Sequence, residues 1–242
     1  MAHATASRPV LLLTRPQAQS ERFARAVTER LGDGVEIVIS PLLEIRDRDA
    51  DLPQAPRGLI FTSENGVRAY ARRVSRRDLP VWCVGDRTAA AARAAGFAAG
   101  SAGGDAEALL ALLSAEKPAG PLLHLRGAHA RGEIAQRLSA AGIETVEAIV
   151  YDQVPRLLSP QARAALAGTA PVYAPLFSPR TARLLVDAAA EARAPLHVIA
   201  MSAAVAAAAQ ALGKASISTA ERPDAGAMLD LLAHRIAAAG AP

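Results

Sequence analysis

The sequence predicts an α/β protein of two lobes, each built on a parallel β-sheet with helices on both faces. Short apolar runs alternate with alanine-rich stretches of helical periodicity along the chain, a pattern typical of covered parallel sheets. Segments of the first half recur in the same order in the second half. Two proline-bearing segments at equivalent places interrupt the alternation, and we predict them to be linkers between the lobes.

The internal repeat consists of four pairs of segments. Arg15 in LLTRP aligns with Arg126 in LHLRG, 111 residues later, and Ser63 in IFTSENGV aligns with Ser178 in PLFSPRTA, 115 residues later. Two further pairs follow in the same order, 84–92 with 199–207 and 105–113 with 224–232. The retained order indicates a duplicated unit.

The first unit begins with a buried strand over 9–14. In the helix that follows, Phe23, Val27 and Leu31 recur at helical spacing and Gly32 marks its end. The remaining predicted elements of this unit are strands over 35–40, 58–63 and 81–85 and helices over 64–74 and 87–96. The second unit repeats the pattern with strands over 121–127, 144–154, 172–178 and 196–202 and helices over 130–141, 179–193 and 203–212.

The two interrupting segments differ from this alternation in composition. Segment 41–56 has three prolines and alternating charges, and segment 145–160 is an extended run that ends in prolines. Side by side, the two would join the lobes as a two-stranded linker. For the run ETVEAIVYDQV, an ordinary core strand is the alternative interpretation.

Charge, cysteine content and hydropathy narrow the class of protein. The net charge is +4, without a run of Lys or Arg, so nucleic acid is not an expected partner, whereas an anionic small molecule is. Cys83 is the only cysteine, which indicates a reducing compartment. The N-terminal apolar run is too short for a signal peptide, and no stretch is apolar enough to span a membrane. We therefore expect a cytoplasmic location and no membrane partner.

Polar loops follow the strands, where open parallel sheets bind their ligands. In FTSENG, Ser63 or Asn65 is a candidate N-cap of the next helix. The same helix start, with Gly66 in its first turn, also presents free backbone N–H groups to an anion. The two interpretations are compatible, and both make this loop a candidate binding site.

Three other loops repeat this chemistry. FSPRT places Ser178 at the cap, Pro179 in the first turn where its missing N–H costs nothing, and Arg180 and Thr181 beside it. The remaining candidates are Gly85 and Thr88 in VGDRTA and Ser202 in AMSAA. Several helix N-termini would together suit a ligand that carries several negative groups.

Four more candidates lie after the first strand of each unit and in the second linker. Arg15 and Arg126 occupy equivalent strand ends, where an arginine is either a surface residue or a ligand for an anion. Gly127 allows close backbone approach, whereas Pro16 replaces it in the other copy. The hydroxyl of Tyr151 either faces the ligand or packs at the linker.

Other catalytic signatures are missing from the sequence. The five histidines show no metal-ligand spacing, and no nucleotide-binding glycine motif is present, so we expect neither a metal nor a cofactor. His124 and His197 lie in strand patterns, and Cys83 lies within VWCVG. We predict all three to be packed core residues.

In this order, the motifs LLTRP, IFTSENGV, VGDRTAAAARAAG, LLHLRG, VYDQV, FSPRTA and AMSAAVAAA resemble those of the uroporphyrinogen-III synthase family. The likeness spans roughly residues 10–235. It implies two flavodoxin-like lobes joined by a two-stranded linker. One lobe would combine 1–39 with 155–242 and the other would comprise 53–147, with linkers at 40–52 and 148–154.

The resemblance also implies an activity, that of a cyclising hydro-lyase in tetrapyrrole and heme biosynthesis. Such an enzyme closes hydroxymethylbilane to uroporphyrinogen III with loss of water and inversion of the terminal pyrrole ring. Tyr151 matches a tyrosine proposed as the proton donor, and the loop residues above would bind the substrate carboxylates. A monomer, in transient contact with the preceding enzyme of the pathway, is expected.

Two residues depart from this picture. Ala203 lacks the hydroxyl of Thr88, with which it pairs in the repeat, and Glu64 would repel a carboxylate unless it points away. A non-catalytic module of two lobes that binds or senses a polyanionic small molecule is the alternative function.

Overall fold

The computed structural model describes residues 8–53, 55–129 and 133–240. In its first part the elements are β1 (Val10–Leu13), α1 (Gln17–Leu31), β2 (Glu36–Ile39), β3 (Leu43–Asp47), β4 (Gly58–Phe61), α2 (Glu64–Arg73), β5 (Val81–Cys83), α3 (Asp86–Ala94), β6 (Ala99–Ser101) and α4 (Ala106–Glu116). They continue with β7 (Leu122–Gly127), α5 (Ile134–Ala140), β8 (Thr145–Pro155), α6 (Pro160–Ala167), β9 (Val172–Leu176), α7 (Pro179–Ala188), β10 (Leu196–Ala200), α8 (Ala203–Ala209), β11 (Ser216–Thr219) and α9 (Ala225–Gly240).

The chain divides into two compact units. Unit 1 comprises Met1–Glu44 and Pro155–Pro242, and unit 2 comprises Ile45–Val154. The chain therefore leaves unit 1 once and returns to it once.

Unit 1 contains a five-stranded sheet in the order β11-β10-β9-β1-β2. Neighbouring strands are parallel, with Val10 opposite Glu36 on one side and Val172 on the other. Numbered within the unit, the order is 2-1-3-4-5, which is that of the flavodoxin-like doubly wound sheets.

Each face of this sheet buries its own core, because successive strand residues point to opposite faces. In β1, Val10 and Leu12 pack with α6, α7 and α8. Leu11 and Leu13 pack on the other face with Phe23 of α1 and with residues of α9. All four β1 side chains are buried, which explains why the strand is a continuous apolar run.

Unit 2 contains a six-stranded sheet in the order β3-β8-β7-β4-β5-β6. The strands from β8 to β6 are parallel neighbours. Numbered along the chain of this unit from β4, their order is 5-4-1-2-3, which is the arrangement of unit 1 with its first two strands placed last in the chain, and β3 is added at the edge. Phe61 of β4 packs towards α2 and α3, and Ile60 packs towards α4 and α5.

The predicted fold class, two α/β lobes on parallel sheets, is confirmed. Every predicted strand is present, although most are shorter than expected by one or more residues at their ends. The run expected either as a linker or as a core strand forms β8, whose first part pairs with β7 from Leu122 opposite Thr145 to Gly127 opposite Tyr151. A core strand is therefore the correct interpretation of that part.

Three helices depart from their expected bounds by three or more residues at one end. Residues 130–132 of the helix expected over 130–141 lie outside the described residues, and α5 begins at Ile134. The helix expected over 179–193 ends at Ala188, because the backbone N–H groups of Arg193 and Ala194 donate to Leu166 O instead. The helix expected over 203–212 ends at Ala209 and tightens into a 3-10 turn over Gln210–Leu212.

The expectation for Cys83 is met. Cys83 is fully buried, and its burial raises the pKa of the thiol to about 11, so it is a packed core residue. Among the described helices, none is both long and apolar enough to cross a membrane.

The aromatic cluster in unit 2 allows a test of the core. Phe61 is fully buried, and its ring centroid lies 6.0 Å from those of Tyr70 and Phe97. Phe61→Ala should lower the free energy of unfolding by about 3–5 kcal/mol, because it removes apolar contact and leaves a cavity. Urea denaturation followed by circular dichroism measures this loss. Leu157→Ala is the control: Leu157 is 88% exposed, so equal losses in both variants would contradict the assigned core.

Candidate active site

The strand order creates one switch point in each sheet, where neighbouring strands lead to helices on opposite faces. In unit 1 it lies between β1 and β9, since α1 and α7 pack on opposite faces. In unit 2 it lies between β7 and β4, since α5 and α2 do likewise. Ligands of doubly wound sheets bind at such points, beyond the carboxyl ends of the strands.

At the switch point of unit 2, Ser63 is the N-cap of α2. Its Oγ accepts the backbone N–H of Gly66 at 3.1 Å and lies 2.9 Å from the hydroxyl of Tyr151. The side chain of Asn65 also hydrogen-bonds to Tyr151. Hydrogen bonds thereby connect three predicted residues: Ser63 and Asn65, which precede β7 in the chain, and Tyr151, which follows it.

Two glycines allow this arrangement. A Cβ on Gly127 would lie 2.6 Å from Cζ of Tyr151, and a Cβ on Gly66 would lie 2.9 Å from the backbone oxygen of Leu125. Both distances are shorter than side chains tolerate, so the close approach of Tyr151 to β7 and of α2 to β7 requires glycine at these positions.

The hydroxyl of Tyr151 keeps its proton at neutral pH. Tyr151 is 7% exposed, and burial raises the pKa of its hydroxyl above the usual 10, while the hydrogen bonds with Ser63 and Asn65 oppose this rise. The phenol is therefore protonated at neutral pH.

A charged cluster occupies the other face of β7. Arg126 donates from Nε to Glu147 at 2.7 Å and from Nη1 to the backbone oxygen of Gly127 at 3.1 Å. Nδ1 of His124 lies 3.4 Å from the same carboxylate, and Nε2 lies 3.3 Å from the hydroxyl of Thr62. Arg126 is thus held by Glu147 as well as being a candidate ligand for an anion.

His124 is the most deeply buried of these groups, at 1% exposed. Burial lowers the pKa of its imidazole, and this effect outweighs the carboxylate of Glu147, which raises it. Although Nδ1 is near Glu147, it forms no hydrogen bond of acceptable geometry with a described residue.

At the switch point of unit 1, Ser178 is the N-cap of α7. Its Oγ accepts the backbone N–H of Thr181 at 3.1 Å and lies 3.0 Å from the hydroxyl of Thr181. On the neighbouring strand, Cζ of Arg15 lies 4.0 Å from the centroid of the Phe177 ring. Arg15 and Ser178, predicted from the repeat, therefore belong to the same switch point.

The remaining predicted residues lie at other helix starts. Gly85 precedes α3 and caps it without a side chain, and Thr88 is buried within that helix. Ser202 caps α8, accepting the N–H of Val205 at 3.4 Å. Arg180 is a half-buried residue in the first turn of α7. The N-cap interpretation is therefore confirmed for Ser63, Ser178 and Ser202.

The carboxylate of Glu64, expected to repel an anion unless turned away, has a cation beside it. Its Oε2 accepts from Nη2 of Arg68 at 3.1 Å. Within the described ranges, no three His, Cys, Asp or Glu side chains are grouped so that they could hold a metal ion.

Comparison with known proteins assigns the chain to a family. The sequence profile of the family described as Uroporphyrinogen-III synthase HemD matches residues 23–230. The chain belongs to the uroporphyrinogen-III synthase family. It is therefore an enzyme of the cyclising hydro-lyase class, as the resemblance of its motifs implies.

Solved structures of uroporphyrinogen-III synthases share its fold. That from Helicobacter pylori 26695 is 19% identical, with 94% of this chain and 99% of that chain covered at a TM-score of 0.65. A mutant enzyme from the extremely thermophilic bacterium Thermus thermophilus is 16% identical, with 96% and 99% covered at a TM-score of 0.51. No curated protein matches the chain in sequence.

Three residues beside the predicted site residues were not themselves predicted as site residues. Glu147 and Phe177 contact the predicted Arg126 and Arg15, and His124 was predicted only to pack. Alternation in LLHLRG places His124 and Arg126 on one face, and LFSPR places one of only four phenylalanines beside a repeated serine. These two signals would have identified His124 and Phe177.

The burial of His124 predicts how stability depends on pH. Because the folded protein holds this imidazole neutral to a lower pH than the unfolded chain does, the unfolded chain binds the extra proton as the pH falls below about 6.5. The free energy of unfolding should therefore decrease as the pH is lowered from about 7.5 to about 5.5, on either side of that value. In His124→Gln this decrease should be smaller, as measured by urea denaturation at both values. Equal decreases in the variant and the wild type would contradict the prediction.

Proposed function

We propose that this chain closes hydroxymethylbilane to uroporphyrinogen III, with loss of water and inversion of the terminal pyrrole ring. Membership of the family supports this reaction. The observation that carries the assignment of roles is the hydrogen bond between Tyr151 and Ser63 at the switch point of unit 2. It joins a protonated phenol to a helix N-terminus, so an acid and an anion-binding group are adjacent.

The reaction begins when the hydroxyl group leaves the substrate, for which it needs a proton. Tyr151 supplies that proton or a hydrogen bond, and water departs. The azafulvenium cation that remains is attacked intramolecularly by the substituted carbon of the terminal pyrrole, which gives a spiro intermediate. This intermediate fragments and closes again with the ring inverted, and the proton lost from the carbon that forms the last bond restores the Tyr151 phenol. The protein contributes mainly by folding a flexible chain into the productive shape.

The carboxylates of the substrate are bound, in this proposal, by the helix starts and arginines at the strand ends. Backbone N–H groups at the starts of α2, α3, α7 and α8 suit carboxylates. The side chains assigned to binding are Arg15, Ser63, Asn65, Thr88, Arg126, Ser178, Arg180, Thr181 and Ser202, with Gly66, Gly85 and Gly127 allowing close approach. We assign no role to a metal or a cofactor.

The alternative is a module that binds a polyanion without catalysis. The assay that separates the two follows which isomer forms from hydroxymethylbilane, because the free bilane closes by itself to the isomer without inversion. Formation of the inverted isomer above the rate of a protein-free control supports catalysis. Binding with only the uninverted isomer would support the module instead.

Loss of the Tyr151 hydroxyl should slow the reaction. In Tyr151→Phe we expect kcat for the inverted isomer to fall at least about tenfold, with KM changed less. A positioned general acid contributes a rate factor of about 10²–10⁴, which sets the upper range of the fall. Tyr70→Phe is the matched control, since Tyr70 is buried in the same core cluster. Full turnover by Tyr151→Phe would remove this residue from the mechanism.

Binding through many groups predicts mild effects from single deletions. Ser178→Ala removes the cap of α7, which costs about 1 kcal/mol of stability, but the backbone N–H groups remain. Ser178→Ala and Arg180→Ala should each raise KM by less than about tenfold, an effect under about 1.4 kcal/mol, with kcat largely kept. Steady-state kinetics of the inverted isomer tests this. Complete inactivity of either correctly folded variant would contradict distributed binding.

The other expected properties stay predictions. We propose a cytoplasmic monomer; the cytoplasmic part rests on Cys83 being the only cysteine, which suits a reducing compartment. Transient contact with the enzyme that supplies the bilane is part of the same proposal.

A further inference from the structure

We infer that Phe177 is a positioning residue, which holds the guanidinium of Arg15 in the plane needed to bind a carboxylate of the substrate. The inference rests on the proposed function, because it assigns Arg15 to substrate binding. It adds a residue that has no polar group and whose role is to orient its neighbour.

The contact has the geometry of a cation–π interaction. Cζ of Arg15 lies 4.0 Å from the centroid of the Phe177 ring, well within the distance of about 6 Å over which such attraction acts. Phe177 is half-buried. Arg15 follows β1 and Phe177 follows β9, so the pair spans the switch point of unit 1.

The ring of Phe177 is itself held in place. Phe23 of α1 contacts it edge to face, with ring centroids 5.2 Å apart and planes at 79°, and Phe23 is 4% exposed. Ser178, the next residue, is the N-cap of α7. Phe177 is therefore fixed on one side by the core and on the other by the start of a helix.

The backbone of Arg15 is also restrained. Pro16 follows it with φ of −49°, and the buried hydroxyl of Ser20 donates to the carbonyl oxygen of Arg15 at 2.8 Å. With the backbone held, the remaining freedom of Arg15 is that of its long side chain, whose ordering is costly. The stack on Phe177 reduces that freedom before any ligand arrives.

A stacked guanidinium is well suited to a carboxylate. The stack covers one face of the planar group and leaves the edge that carries the N–H donors clear of the ring, and it is through this edge that a guanidinium binds a carboxylate with two parallel hydrogen bonds. Pre-orientation lowers the entropy lost on binding. The effect belongs to substrate binding, so it should appear in KM rather than in kcat.

The test is a double-mutant cycle on the full chain. In Phe177→Leu, we expect KM for hydroxymethylbilane to rise on the order of 3- to 10-fold, from a cation–π contribution of about this size, with kcat within about twofold. Phe177→Tyr keeps a ring and should restore the wild-type KM. Arg15→Gln should raise KM in the wild type but add little in the Phe177→Leu background, since coupled residues are not additive.

A second stack in the protein provides the matched control. Arg77 lies over Phe97 with Cζ 4.5 Å from the ring centroid, in unit 2 and away from the switch points. Phe97→Leu should leave KM unchanged. Its loss of stability, like that of Phe177→Leu, is measured separately by urea denaturation.

Three outcomes would overturn the inference: an unchanged KM in Phe177→Leu, additive effects of the Phe177→Leu and Arg15→Gln changes, or no restoration by Phe177→Tyr. The dissociation constant for uroporphyrin III, an octacarboxylate, is measured by fluorescence on the same variants. If the wild type forms no inverted isomer, the proposed function fails. The double-mutant cycle, measured as dissociation constants for uroporphyrin III, still decides the role of Phe177. A wild type that neither reacts nor binds would overturn both.

Discussion

The pairing of β1 with β9 and of β7 with β4 is the constraint on which the rest of the structure depends. Each pair joins one strand from the first repeat to one from the second. In each repeat, the first strand–helix–strand segment therefore joins the sheet formed by the later strands of the other repeat. Unit 1 consequently contains both ends of the chain, and neither unit corresponds to one sequence repeat.

This exchange also determines where the polar loops meet. Arg15 and Ser63 belong to one repeat, yet Arg15 lies beside Phe177 and Ser178, whereas Ser63 lies beside Tyr151. Each switch point therefore combines an arginine-bearing strand end from one repeat with a serine-capped helix from the other. Both parts are needed to place a cation and free N–H groups at one edge of a sheet.

The two switch points have diverged in chemistry. In unit 2, the switch point has Gly127, which lets Tyr151 approach β7, and Arg126 is held by Glu147. In unit 1, Pro16 stands in place of that glycine, and the guanidinium of Arg15 lies over the ring of Phe177. The switch point of unit 2 therefore has a protonated phenol. The switch point of unit 1 has a stacked guanidinium, whose N–H donors lie in the plane of the group.

The sequence by itself determined the duplication and most of the elements in their order, because apolar periodicity, Gly32 as a helix end and serine caps are local signals. It did not predict the short strands β6 and β11 or the helices α4, α6 and α9. It also identified the family through short ordered motifs. Only the tertiary structure decided that β8 is a core strand as far as Tyr151, that His124 and Glu147 share a cluster with Arg126, and that Phe177 lies under Arg15. These contacts join residues 21 to more than 150 positions apart. No local pattern shows which strands pair with each other, because both repeats carry equally apolar strands that could pair with either copy.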